Sequence, residues 1–259
     1  MRVLVIGDIV GQPGRNAIKN LVPALKKEEH IDFVIANAEN AAGGSGVTPQ
    51  IADELFGYGV DVMTTGDHIW NRKEIAPYLD KNNRLLRPAN YPKGAPGSGS
   101  CVVSAGAVNV GVINLAGRVF MDPIECPFKT VREEIEKLKA STKIIFVDIH
   151  AEATSEKVAL GWFLDGVVTC VFGTHTHIQT ADERILHKGT AYITDLGMTG
   201  PYESVIGRRV DQILTRFVTQ LPTRFEMAEA DVKLAGAIVD VDEKNGKATA
   251  INRIQVEDK

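Results

Sequence analysis

Short apolar runs alternate with helix-length amphipathic segments through most of this 259-residue chain. The run Val3–Ile6 comes before a segment, about Arg15–Glu29, whose apolar residues recur every three or four positions. This spacing is typical of a helix with one buried face. Further runs of strand length are Phe33–Ala36, Val62–Thr65, Ile144–Ile149 and Val167–Phe172. Such alternation predicts an α/β protein whose strands are mainly parallel.

Two regions lack an intervening helix and predict antiparallel pairs. Ser100–Ser104 and Val108–Leu115 follow one another directly, and the chain ends in the strand-like segments Val232–Val241 and Lys247–Val256. An Asn-Gly pair between the last two is typical of a hairpin turn. The chain shows no repeat, low-complexity tract or linker. We therefore expect residues 1–259 to form a single domain.

Two helix starts are marked by capping residues. Thr48 followed by Pro49 is typical of an N-cap and the first helical position. Asn71 with Glu74 three residues later resembles a capping box. Both places are therefore predicted to open helices.

Charge and composition limit the binding partners and the cellular location expected for this chain. The chain carries 29 basic and 33 acidic residues, a net charge of −4, and the basic residues are scattered. Binding to long nucleic acids needs clustered Lys and Arg, so no extended nucleic-acid surface is expected. No apolar run approaches the ~20 residues that span a bilayer, and no secretory signal is visible. With three widely separated cysteines, these features favour the cytoplasm.

Polar side chains follow five of the predicted strands, at the point where each strand ends. They are Asp8, Glu39, Asn40, Asp67, His68, His150, His175 and His177. Four of the six histidines of the chain belong to this set. In open parallel sheets, ligands bind outside the carboxyl ends of the strands. We therefore expect these side chains to gather at one edge.

The gathered set has the chemistry of a metal site. Imidazole and carboxylate groups are ligands of Zn, Mn and Fe, and eight candidates are too many for one tetrahedral ion. They suit two ions roughly 3.5–4 Å apart, bridged by a carboxylate. In an extended loop, His175 and His177 would point to the same side and could share a site.

Single residues of this set have simpler explanations. Asp8 could cap a helix or close a turn, and His150 alone could be a buried polar residue with its hydrogen bonds satisfied. The glycine-rich stretch that contains Gly43 and Gly44 is either a loop whose amides approach an anion or simply a loop. Dinucleotide, phosphate-loop and nucleophile-elbow motifs are absent. The joint pattern, rather than any one residue, therefore favours metal chemistry.

Four motifs give the chain a family resemblance. GDIVGQPGR, ANAENAAGGSGVT, HIWN and LGMTGPYESVIG resemble the bacterial YmdB-type family, and the polar residues occur in the order of the calcineurin-like metallophosphoesterases. The resemblance implies a four-layer αββα sandwich of two mixed sheets flanked by helices. It also implies two divalent transition-metal ions, Fe or Mn. The ligand types in this chain are compatible with Zn as well. The implied activity is phosphodiesterase cleavage of 2′,3′- or 3′,5′-cyclic nucleotides.

The same resemblance implies a role for each residue at the strand ends. The ligands of the first ion would be Asp8, Asn40 and His177, those of the second Asp67, His150 and His175, and Glu39 would bridge the two. Asn40 would also contact the phosphate, with Gly43 and Gly44 as candidate substrate-binding neighbours. His68 would donate a proton to the leaving group, because neighbours on an extended loop point in different directions and only Asp67 would face the metal.

Two positions depart from the implied pattern. The wider superfamily carries a histidine two residues after the first aspartate, where this chain has Val10, so the first ion has one ligand fewer. The family usually carries asparagine before the proton donor, where this chain has Asp67. The additional negative charge could shift the metal preference.

The expected activity is hydrolysis of a small cyclic nucleotide by a metal-dependent phosphodiesterase. Two alternatives stay open: a phosphomonoesterase with the same centre, and a regulatory nucleotide-binding or partner-binding protein with little turnover. A cavity closed to the second ester group would favour the first alternative. His68 favours an enzyme, because a pure binder needs no proton donor there. Whether the chain forms a homo-oligomer is left open.

Overall fold

The computed structural model describes residues 1–259 and contains two mixed β-sheets packed face to face. The strands are β1 Arg2–Ile6, β2 Asp8–Ile9, β3 Phe33–Asn37, β4 Val62–Thr64, β5 Ser100–Ala105, β6 Val108–Ala116, β7 Ile144–His150, β8 Cys170–Thr174, β9 Arg184–Ile185, β10 Ala191–Ile193, β11 Met198–Pro201, β12 Val232–Val241 and β13 Ala248–Glu257. The helices are α1 Gly11–Glu28, α2 Pro49–Gly57, α3 Ala76–Leu79, α4 Pro127–Leu138, α5 Thr154–Phe163 and α6 Val210–Thr219.

The first sheet combines a parallel centre with antiparallel neighbours. Its strand order is β2-β11-β12-β1-β3-β4, and β13 pairs with β12. Strands β1, β3 and β4 are parallel, whereas β12 runs antiparallel to β1, β11 and β13. The predicted C-terminal hairpin is therefore present, and it extends the first sheet.

The second sheet has the order β5-β6-β7-β8-β10-β9. Strands β6, β7, β8 and β10 are parallel, and the edge strands β5 and β9 are antiparallel to their neighbours. The antiparallel pair predicted from Ser100–Ser104 and Val108–Leu115 is thus β5 with β6.

The core lies in three layers of apolar side chains. Between the sheets, Val5 and Phe33 of the first sheet pack in one cluster with Phe146 and Phe172 of the second. The outer face of the first sheet packs against α1 and α2, and that of the second against α4 and α5. Each sheet thus buries both faces, which explains why its parallel strands are continuously apolar. The arrangement confirms the four-layer αββα sandwich.

Three local predictions differ from the structure. Helix α1 begins at Gly11, four residues before the predicted start, because Pro13 lies in the first turn, where no intrahelical donor is needed. The strand predicted over Val167–Phe172 is Cys170–Thr174. The predicted capping box at Asn71 is wrong: this residue ends a 3₁₀ turn, Asp67–Asn71, and its amide donates to Ser45 Oγ instead.

The topology brings strand ends of both sheets to one place. In the first sheet, β1 and β3 each end two residues before Asp8 and Glu39, and β4 is followed by the 3₁₀ turn Asp67–Asn71. In the second sheet, β7 ends at His150 and β8 directly before His175.

A membrane span requires a helix of sufficient length and hydropathy, and none of the helices meets both requirements.

Candidate metal centre

Four side chains from these strand ends form a group that could hold a metal ion. The ligand atoms of Glu39, Asp67, His150 and His175 all lie within 4.8 Å of one another. His150 Nε2 is 3.1 Å from Glu39 Oε1, 3.2 Å from Asp67 Oδ1 and 2.9 Å from His175 Nδ1. Two imidazoles and two carboxylates are a donor set for Zn, Mn or Fe.

Asp8, Asn40 and His177 form a second group beside the first. His177 Nε2 is 3.1 Å from Asn40 Nδ2 and 3.8 Å from Asp8 Oδ1. Asp8 Oδ1 is buried without a hydrogen-bond partner, and burial raises the pKa of this carboxyl to about 7. Burying a hydrogen-bond acceptor without a donor lowers the stability of the folded protein. A cation beside Asp8 would offset that cost, so this group also fits a metal ion.

Glu39 connects the two groups through one carboxylate oxygen. Its Oε1 lies 3.1 Å from His150 Nε2 in the first group and 3.2 Å from Asn40 Nδ2 in the second, and its side chain is only 1% exposed. Burial alone would raise the pKa of Glu39, but His150 and His68 hold it well below its usual value. The carboxylate is therefore ionised at the centre of the site.

The backbone enters the site at Gly66, where no side chain fits. A Cβ atom on this residue would lie 2.1 Å from His150 Cδ2 and 2.2 Å from Glu39 Oε2. Both distances are far below van der Waals contact, so any other residue would push the ligands apart. The glycine thus lets the turn that carries Asp67 and His68 close against Glu39 and His150.

Each histidine is oriented through its second ring nitrogen. His150 Nδ1 is 2.9 Å from Thr174 Oγ1, and His175 Nε2 is 3.1 Å from Glu152 Oε2. His177 Nδ1 is 3.2 Å from the backbone oxygen of Ile206. These contacts leave His150 Nε2, His175 Nδ1 and His177 Nε2 facing the ligand groups. Such outer contacts fix the ring orientation and tautomer of metal-binding histidines.

Two buried aspartates support the segments that carry the histidines. Asp148 accepts a hydrogen bond of 2.8 Å from Thr174 Oγ1, so the hydroxyl oxygen of Thr174 is free to accept one from His150. Asp195 forms a buried ion pair of 2.6 Å with Lys157 and accepts hydrogen bonds from the backbone amide and hydroxyl of Thr176. The loop between His175 and His177 is therefore held from inside the protein.

His68 lies beside both groups and stays partly exposed. Its Nδ1 is 3.0 Å from Asn40 Oδ1 and 3.3 Å from Glu39 Oε1, and 37% of its side chain is exposed. The hydrogen bond with Glu39 raises the pKa of His68, against the opposing effect of burial. A protonated imidazole in this position can serve as a general acid. The role of His68 as proton donor stays a prediction.

Both expectations of extended loops at the site are wrong. Asp67 and His68 lie in a 3₁₀ turn, and the loop after β8 bends sharply, with φ of 97° at His175 and 64° at His177. As a result, His175 Nδ1 joins Asp67 and His150 while His177 Nε2 joins Asn40 and Asp8. The two histidines do not share one ligand group.

A cavity of about 350 Å³ opens onto the site, a size that suits a small ligand. Its lining comprises Val10, Glu39, Asn40, Gly44, His68, Glu152, His175, Thr176, His177, Ile206 and Arg208. Four of these, Glu152, Thr176, Ile206 and Arg208, lie outside the residues that the sequence singled out. Val10, at the position of the missing histidine, is buried in the cavity wall.

The glycine-rich loop contributes one of its two candidate residues to the cavity. Gly44 lines it and Gly43 does not. Both amides donate within the loop, Gly43 N to Ala41 O and Gly44 N to Asn40 O. A phosphate in the cavity would therefore need other donors, and substrate binding by these glycines stays a prediction.

Comparison with known proteins identifies the family. Residues 4–254 match the model of the YmdB-like protein family. The chain belongs to the YmdB-like family. A YmdB-like relative from Bacillus subtilis strain 168, named 2′,3′-cyclic-nucleotide 2′-phosphodiesterase, is 50% identical over all of this chain and 98% of its own length.

Solved structures agree with this YmdB-like assignment. A Thermus thermophilus protein described as hypothetical is 39% identical, with a TM-score of 0.94 and complete coverage of both chains. A Mycoplasma pneumoniae protein described as a novel phosphatase is 37% identical, with a TM-score of 0.93 over all of this chain and 94% of its own. The family resemblance and the fold are thereby confirmed.

Replacing Asp67 with asparagine should be tolerated better than any other ligand change. Asparagine is the residue that the family resemblance implies at this position and it still offers an oxygen, so we expect activity to fall by no more than about tenfold. Asp67→Ala, which offers no oxygen, is the matched comparison and should lose metal. Metal content and turnover with Mn and with Fe test both variants. Complete loss of an ion in the asparagine variant would show that Asp67 is misassigned.

Proposed function

We propose that this chain is a metal-dependent phosphodiesterase that hydrolyses cyclic nucleotides at a dinuclear centre. The protein is a hydrolytic phosphoesterase of the YmdB-like family. Its 50% identity to a 2′,3′-cyclic-nucleotide 2′-phosphodiesterase favours 2′,3′-cyclic nucleotides as the first substrates to test. Activity on 3′,5′-cyclic nucleotides remains part of the proposal.

The observation that carries the proposal is the placement of Glu39 between two ligand groups. One buried carboxylate oxygen lies within 3.2 Å of both His150 and Asn40. On one side stand Asp67 and His175, and on the other Asp8 with its unpartnered oxygen. A carboxylate that faces two sets of metal-type donors is the arrangement that a two-metal site needs.

The proposed residue roles follow from these positions. One group, Asp67, His150 and His175, would hold the second ion, and the other, Asp8, Asn40 and His177, would hold the first, with Glu39 shared. Ions held there would neutralise charge on the phosphate oxygens and make an attacking water more acidic. Ligation by Asn40 requires a half-turn of its amide, because Nδ2 rather than Oδ1 now faces His177.

His68 would carry the proton step of the reaction. Its hydrogen bond with Glu39 raises the pKa of His68 and favours the protonated imidazole, against the effect of burial, and its Nδ1 lies 3.3 Å from Glu39 Oε1. The leaving oxygen of a cyclic nucleotide is a poor leaving group, so its departure needs a proton. His68 lines the cavity, which makes it the candidate donor.

The first experiment measures metal content and substrate class together. Protein purified without added metal should carry close to two Fe, Mn or Zn ions per chain, and chelation should abolish hydrolysis of bis-p-nitrophenyl phosphate. The diester should be hydrolysed faster than p-nitrophenyl phosphate, which separates a diesterase from a monoesterase. Full activity in metal-stripped protein would refute the metal dependence, and metal-loaded protein without turnover would favour a binding role.

The domain organisation and the cellular location are two further proposals. A single domain over residues 1–259 is supported by the apolar cluster that joins both sheets. A cytoplasmic location agrees with the three unpaired cysteines. The oligomeric state requires light scattering on the purified protein.

A further inference from the structure

Arg208 is the one lysine or arginine that lines the cavity at the candidate metal centre. It lies in a tight turn in which Val205 and Arg208 exchange two backbone hydrogen bonds. The same turn presents the backbone oxygen of Ile206 to His177. Arg208 is thus built into the same rigid segment that orients one of the candidate ligands.

The guanidinium of Arg208 is held at one end only. Nη1 donates to Gly43 O and Met227 Sδ, and Nη2 donates to Gly44 O at 2.9 Å. Arginine has five N–H donors, so the Nε–H and the second Nη2–H are left without a protein partner. These two donors, here called the free edge of Arg208, are available to the oxygens of a carboxylate or phosphate.

The charge of Arg208 has no acidic partner in the protein. No carboxylate lies within salt-bridge distance of it, unlike Arg209 next to it, which pairs with Asp211 and Glu226. Burial lowers the pKa of Arg208, and no neighbouring charge opposes this. Nε of Arg208 has no hydrogen-bond partner in the protein and is not fully buried, so solvent reaches it. A partly buried cation of this kind is suited to an anionic ligand.

Arg208 is also close to the residues that would contact substrate. Gly44 accepts from Arg208 through its oxygen and donates through its amide to Asn40 O. Two hydrogen bonds therefore connect Arg208 to the backbone of Asn40. Since the loop amides of Gly43 and Gly44 are already used, the free edge of Arg208 supplies the donors that the loop does not.

We propose that the free edge of Arg208 binds the phosphate group of the substrate. This proposal rests on the phosphodiesterase function proposed above. Arg208 then acts as a substrate-binding residue that adds a fixed positive charge on the Asn40 side of the cavity.

The test compares Arg208→Gln with Arg72→Gln. Arg72 is the matched control because it also donates to carbonyls of the glycine-rich loop, at Ala42 and Ser45, but does not line the cavity. We expect Arg208→Gln to raise the KM for bis-p-nitrophenyl phosphate and for 2′,3′-cyclic nucleotides by about 10- to 100-fold, the range for hydrogen bonds to charged groups. Arg72→Gln should change neither by more than about threefold.

Calorimetric titration of inorganic phosphate into the metal-loaded proteins gives a readout independent of turnover. Phosphate binding should weaken to the same extent in Arg208→Gln, with unchanged metal content and melting temperature. Equal effects of the two substitutions would overturn the proposal, since Arg208 would then only hold the loop. An effect confined to nucleotides and absent from bis-p-nitrophenyl phosphate would also overturn it, because Arg208 would then contact the base or sugar.

The same measurements separate this proposal from the proposed function. If wild-type protein hydrolyses no diester but its phosphate binding depends on Arg208, the phosphodiesterase proposal fails and the phosphate site stands. If the wild type hydrolyses diesters and Arg208→Gln binds phosphate as tightly, the phosphodiesterase proposal stands and Arg208 is not the phosphate contact.

Discussion

Glu39→Gln is expected to reduce diester hydrolysis by about a hundredfold to a thousandfold. The factor corresponds to the free energy lost when one ion of a buried ion pair is removed. The substitution keeps the size of the side chain and removes the negative charge that faces both ligand groups. An amide cannot neutralise two cations, so metal content should fall as well. Elemental analysis and steady-state rates on the same samples measure both effects.

The matched control for Glu39→Gln is Glu134→Gln. Glu134 is also a buried glutamate, but it lies on α4 and binds Ser100 and Lys137 rather than the site. This control should keep wild-type rates and metal content. A Glu39→Gln protein with full turnover and both ions bound would mean that Glu39 does not bridge the centre.

The fold and the site location were predictable because both follow from strand periodicity. Buried parallel strands appear in the sequence as continuous apolar runs, and within one sheet their carboxyl ends lie at the same edge whatever the conformation of the loops. This rule brings Asp8 and Glu39 together in the first sheet. His150 ends a strand of the second sheet, so its contact with them also depends on how the two sheets pack. No knowledge of side-chain conformation was needed for this step.

The division of ligands between two groups could not be predicted from residue spacing. The alternation rule places His175 and His177 on one side, but it holds only for extended backbone. Both residues adopt positive φ, which is rare for residues other than glycine. The buried pair of Lys157 and Asp195 holds this bend, and no local pattern relates these residues to the loop.

The residues that surround the ligands left no signal in the sequence either. Glu152 reaches the cavity from the segment after β7, whereas Ile206 and Arg208 reach it from one tight turn, in which the backbone oxygen of Ile206 contacts His177. A backbone contact is independent of side-chain type, so composition and motif spacing cannot reveal it. Gly66 is different, because a glycine directly before Asp67 and His68 marks a close approach of the backbone.

His68→Ala should separate the proton step from metal binding. Activity on 2′,3′-cyclic nucleotides should fall by about 10²- to 10⁴-fold, the usual contribution of a general acid. Activity on bis-p-nitrophenyl phosphate should fall far less, because p-nitrophenolate needs little protonation to depart. His68 lies outside the four-residue group of ligand atoms, so both ions should be retained.

His187→Ala is the matched control for His68→Ala, because His187 is exposed and packs near Trp162, away from the cavity. It should leave both activities and the metal content at wild-type values. The decisive quantity is the ratio of the two losses in His68→Ala, since a general defect in folding or metal binding lowers both activities together. Equal losses on the two substrates would remove His68 from the proton-donor role. Loss of an ion in the variant would place His68 among the ligands, and the proton would then have to come from another group.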